Sequence, residues 1–80
     1  MPDFFLQHQH DPGECETAFA AWRSFDSPLR GRPAPSTCLA GDHAIWWLVE
    51  ASDESAALAL LPEFVAARTE AIAVRYVEMP

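Results

Sequence analysis

Five side chains in this 80-residue sequence carry donors suited to a transition metal: His8, His10, His43, Cys15 and Cys38. They are all of its histidines and all of its cysteines. Neutral imidazole and thiolate together suit zinc, copper, nickel or iron, and zinc or copper is the ion expected here. Ligation displaces protons, so binding is expected to weaken below about pH 6. Spacing alone does not establish such a site. A His-x-His often ends a solvated strand, and the two cysteines lack CxxC spacing. Two other readings stay open: solvated histidines beside inert buried thiols, and a Cys15–Cys38 disulfide, which a reducing compartment would disfavour.

The elements that must position these groups can be read from periodicity. Residues 4–10 (FFLQHQH) alternate as a strand does, with Phe4, Leu6, His8 and His10 on one side. Residues 11–14 (DPGE) combine a capping acid, a proline at the first helical position and a glutamate three residues after the cap. A helix follows, with Cys15, Ala18, Phe19 and Trp22 on one stripe, fading near Phe25. Three prolines and a glycine make residues 26–35 (DSPLRGRPAP) a long loop. Residues 36–40 (STCLA) read as a short strand, Gly41-Asp42 as a turn, and residues 43–51 (HAIWWLVEA) as the strongest strand in the chain. Ser52-Asp53-Glu54 opens a second helix that Pro62 divides, with a kink expected near Leu61. Residues 71–79 (AIAVRYVEM) form the expected last strand.

This β-α-β-β-α-β order predicts one α+β domain over residues 1–80 with a ferredoxin-like fold: a four-stranded antiparallel sheet, strand order 4-1-3-2, and two helices on one face. In that arrangement the end of the first strand lies beside the start of the third, which brings His8 and His10 to His43. Cys38, at the end of the second strand, and Cys15, at the start of the first helix, are expected at the same rim. The candidate metal ligands are therefore His8, His10, His43, Cys38 and Cys15.

Composition narrows the partners. The net charge is -7, and the five arginines form no basic run, which disfavours nucleic acid and anionic membranes. The longest purely apolar stretch, Ala44 to Val49, is far too short to span a bilayer, and the first residues lack a basic start. A cytoplasmic location is expected. A domain this small is marginal without an ion, a disulfide or a second subunit. Because residues 43–51 are apolar on both sides, a homodimer packed sheet against sheet is expected. Trp46, Trp47, Phe5 and Tyr76 are candidates for a small-molecule pocket with Arg30, Arg32 or Arg75 at its mouth, although core packing is the simpler use of such aromatics. No Ser-His-Asp spacing or phosphate loop is present.

The element order, with HQHDP after the first strand, GDHAIWWLVEA in the second half of the hairpin and a last strand ending in VEMP, resembles small bacterial proteins of the dimeric α/β-barrel superfamily. That superfamily includes heme-degrading monooxygenases, muconolactone-isomerase-like enzymes and small domains that bind nickel or other metals through histidines. The resemblance implies His8, His10 and His43 as ligand positions; the Pro-rich loop after the first helix departs from its shorter connection. It also implies an alternative function, an isomerase or monooxygenase acting on a small aromatic or apolar molecule with His43 or His10 as general acid or base. A structural interaction module without a site is the third reading.

Overall fold

Alternating side chains make Asp3–Gln9 a strand (β1), with Phe4, Leu6 and His8 buried and Gln7 and Gln9 exposed. The computed structural model describes residues 1–38 and 41–80. Pro12–Glu14 form one 3-10 turn, entered through bonds from Asp11 N to Glu14 Oε1 (3.0 Å) and from Glu14 N to Asp11 O (2.8 Å). The helix α1 (Cys15–Arg23) continues from it. Ala44–Glu50 form β2, Glu54–Leu58 α2, Glu63–Ala66 α3 and Thr69–Val74 β3. The Asp53 carboxylate caps α2 by accepting from Ala56 N at 2.8 Å. Pro62 stands at the N-cap of α3, and the expected kinked helix is two short helices.

The sheet has three strands in the order β2-β1-β3, all antiparallel, with Leu6 opposite both Trp47 and Ala71. This overturns the four-stranded ferredoxin-like sheet expected from the sequence. Residues 36–38 form no edge strand; Leu39 and Ala40, the rest of that expected strand, lie outside the described residues. Ser36 makes one isolated bridge to Ile45, flanked by bonds from Thr37 N to Ala44 O (2.9 Å) and from Trp46 N to Pro35 O (3.0 Å). Pro33 and Pro35 have no N–H and a fixed φ, so a ladder cannot extend upstream. Downstream, the Thr37 hydroxyl donates to Asp42 O (3.0 Å) and accepts from Ala44 N (3.2 Å). The last strand is also shorter than expected. Its pairing ends at Val74 because β1, its partner, begins opposite it at Asp3.

The helices cover the face of β1 that carries Phe4, Leu6 and His8. Phe4, Leu6, Val49, Ala57, Leu61 and Val65 form the centre of the core, with Trp22 and Trp47 packed against it. On the opposite face Phe5 pairs with Leu48 and Ile72, and the latter two are exposed. The sheet thus buries one face and leaves the other mixed, as antiparallel sheets allow.

Candidate metal centre

Three separate segments meet where β1 ends. His10 follows β1 directly, and its backbone N–H donates to His43 O at 3.0 Å, which sets the two histidines side by side just before β2 begins. Their rings lie 5.4 Å apart at 51°. Cys15 is the first residue of α1, placed there because only four residues separate it from His10. Cys38 arrives from the long loop, its N–H donating to Ser36 Oγ at 3.1 Å while Ser36 is tied to Ile45.

The donor atoms of His10, Cys15, Cys38 and His43 all lie within 4.8 Å of one another. Cys15 Sγ is 3.2 Å from His10 Nε2 and 2.8 Å from His43 Nδ1. Zinc bonds of about 2.0–2.1 Å to nitrogen and 2.3 Å to sulfur give tetrahedral edges of roughly 3.3–3.8 Å. An ion would therefore part the closest pair, Cys15 Sγ and His43 Nδ1, by about 0.7 Å and draw donors as far as 4.8 Å apart inward. His10 is buried and the other three are half-buried. Both cysteines are free thiols, so the disulfide alternative is not formed.

His8 is not a member of this group. It is fully buried, and its Nε2 faces His10 Nδ1 at 2.8 Å. Its Nδ1 lies 3.3 Å from Val65 O and 3.1 Å from Thr69 Oγ1, and the Thr69 hydroxyl itself donates to Val65 O at 2.7 Å. A carbonyl only accepts, so His8 Nδ1 must carry the proton. In the neutral ring His8 Nε2 is then a lone pair, and it accepts from His10 Nδ1–H. His10 Nε2 is left as a lone pair directed at the cysteine. This is the tautomer a metal ligand requires, and it is set from Val65 and Thr69 through His8.

Electrostatics agree with neutral rings. Burial, followed by the nearby His10, holds His8 below the usual imidazole range. Burial, followed by His43, does the same for His10. The Cys15 thiol is pushed up by burial and by the neighbouring Cys38. Beside the cluster, Glu14 Oε2 accepts from Arg68 Nη2 (2.8 Å) and Nε (3.1 Å), and this contact holds the Glu14 carboxyl below its ordinary value. The Arg68 guanidinium lies 3.7 Å above the Phe64 ring and donates to Phe64 O, so the pair fastens the start of α1 to α3.

Of the five expected ligands, four converge and His8 stands one hydrogen bond behind. Thr69 and the Val65 carbonyl escaped the sequence reading. Their role depends on the register that sets His8 opposite Thr69, which no local motif announces. The expected aromatic pocket does not assemble. Trp47 lines one cavity with Trp22, Tyr76 lines others near Asp3, and Trp46 and Phe5 lie on the opposite face of the sheet. Comparison with known protein families, curated proteins and solved structures finds no match for this chain.

Proposed function

We propose that this chain is a small metal-binding protein whose ion, zinc in first place, is held by His10 Nε2, Cys15 Sγ, Cys38 Sγ and His43 Nδ1. The observation that carries the reading is the mutual approach of four soft or borderline donors, drawn from β1, α1 and the long loop, to within 4.8 Å. Two sulfurs with two imidazole nitrogens make the tetrahedral set of structural zinc sites. Four protein donors leave no open coordination position, so the arrangement supports binding and stapling over hydrolysis or isomerisation at the ion. The staple joins the loop to the sheet and the first helix in a domain whose core alone is small.

The test is metal analysis of protein purified without a histidine tag, with competition titration against a chromophoric chelator. About one zinc per chain is expected, with thiolate charge-transfer and tetrahedral d–d bands when cobalt replaces it. Cys38→Ser and His43→Ala should each weaken zinc binding by at least roughly tenfold. Fewer than about one ion per ten chains after supplementation, or rapid formation of a Cys15–Cys38 disulfide in place of metal uptake, would overturn the reading. Tight copper(I) with weak zinc would keep the site and change the ion.

A further inference from the structure

A second site lies on the other side of Ile45. A cavity of about 340 Å³ opens between α1, the loop that follows it and the outer edge of β2. That volume suits a small organic molecule. Its floor is apolar: Trp22 and Trp47, half-buried with ring centroids 5.8 Å apart at 44°, together with Leu29 and the buried Ile45. Its rim is cationic. Arg23, Arg30 and Arg32 all line it and all are exposed. The chain has five basic residues against twelve acidic ones, and three of the five gather here, while among the described residues no carboxylate lines the cavity.

The arginines are also free to act. Among the described residues the one ion pair joins Arg68 to Glu14, on the metal-centre side. Among the described residues Arg30 donates to Phe25 O alone, at 3.4 Å, and most of its N–H groups have no partner there. A tight turn presents the pair: Arg32 N donates to Leu29 O at 3.3 Å, with Gly31 between them at φ +77, a left-handed value that glycine adopts without strain. In a chain of net charge -7 an anion gains nothing from the long-range field, so this local reversal of sign has to be matched at short range. A guanidinium fork recognises a carboxylate through two parallel N–H bonds, and an indole pair stacks on a flat apolar ring.

We infer that this cavity binds an aromatic monocarboxylate, its ring packed on the exposed side of the Trp22–Trp47 pair and its carboxylate held by Arg30 and Arg32. The site shares no residue with the four-donor cluster and does not depend on the metal reading.

Two-dimensional NMR of the full chain with 2-naphthoate as probe tests it, read at the three tryptophan indole N–H signals. The Trp22 and Trp47 signals should shift and saturate with a dissociation constant of roughly 0.05–1 mM, while Trp46, on the far face of the sheet, should not move. The neutral isostere 2-naphthamide should bind at least about tenfold more weakly. The double variant Arg30→Gln/Arg32→Gln should lose a similar factor, and Arg75→Gln, which lies away from this cavity, should stay within about twofold of the parent. Because all these arginines are exposed, the variants keep the fold, which the undisturbed indole spectrum verifies. Absence of saturation by about 5 mM, equal binding of the amide, or movement of Trp46 in place of Trp22 and Trp47 would overturn the proposal.

Discussion

His8 shows how one buried side chain can orient a donor cluster of which it is not a member. Its two nitrogens are both engaged, by Val65 O and Thr69 Oγ1 on one side and by His10 on the other, so a buried polar ring is retained without an unmet hydrogen bond. Replacing it with phenylalanine leaves His10 Nδ1–H without its acceptor and frees the His10 ring to turn. Zinc affinity is expected to fall by roughly 10–100-fold with stoichiometry unchanged, as removal of an outer-sphere partner usually does. Competition titration of His8→Phe against the parent checks this; an unchanged affinity would leave His8 as packing alone. The same ring makes the metal-free protein sensitive to acid. His8 and His10 titrate below their ordinary value of 6.5 in the folded chain, so the unfolded chain takes up protons first as pH falls. Stability from these rings is present above that value and is lost progressively below it. The urea midpoint of chelator-treated protein should therefore fall between about pH 7 and pH 5.5, and His8→Phe should flatten the slope.

At the scale of elements, the loop between α1 and β2 does most of the functional positioning although it has little regular structure. Ser27 Oγ donates to Leu60 O at 2.7 Å, Gly31 turns Arg30 and Arg32 outward, and Ser36 and Thr37 latch onto β2 before Cys38 reaches the four-donor cluster. Gly31→Ala meets no steric contact at its Cβ, yet it forces alanine into a left-handed conformation. A loss of about 1 kcal/mol is expected from chemical denaturation. If the turn instead relaxes, probe binding in the arginine-rimmed cavity drops while stability holds. The sheet behaves differently. Leu6, fully buried at the centre of β1, anchors the core from both neighbouring strands, and Leu6→Ala should cost roughly 2–5 kcal/mol. A domain of this length holds only about 4–12 kcal/mol in total, so that variant should unfold near ambient temperature, a result readable by circular dichroism.

For the whole molecule, the four-donor cluster joins segments that secondary structure alone leaves loosely connected. Cys38 is distant in sequence from the end of β1 and the start of α1, and an ion held by the four donors would close three chain loops at once, residues 10–15, 15–38 and 38–43. Zinc that binds the folded chain and not the unfolded one adds stability by mass action, about 4 kcal/mol at a thousandfold excess over its dissociation constant. Chelation is therefore expected to lower the melting temperature by ten degrees or more, on the order expected for a domain of this size. Hydrogen exchange should quicken first in residues 24–38 and last in β1. Uniform quickening across the chain would place the ion's influence on the whole core instead of on the loop.

Local signals were strong wherever a residue's role depends on its neighbours in sequence. The alternation of residues 4–10, the DPGE entry into α1, the apolar run of β2 and the break at Pro62 could all be read before any fold was known, because period, capping and missing N–H groups act over a few residues. Of the edge strand expected at residues 36–40, residues 36–38 make only the single bridge of Ser36 to Ile45, for a reason also local, the prolines beside them. What lay beyond the sequence was relative placement. It could nominate five donors, yet only the packed chain separates the four that meet from His8 behind them, gathers three scattered arginines around two tryptophans, and sets Trp46 and Trp47 on opposite faces. Side-chain chemistry is written residue by residue, whereas distances between remote residues arise only when register and helix packing bring them together.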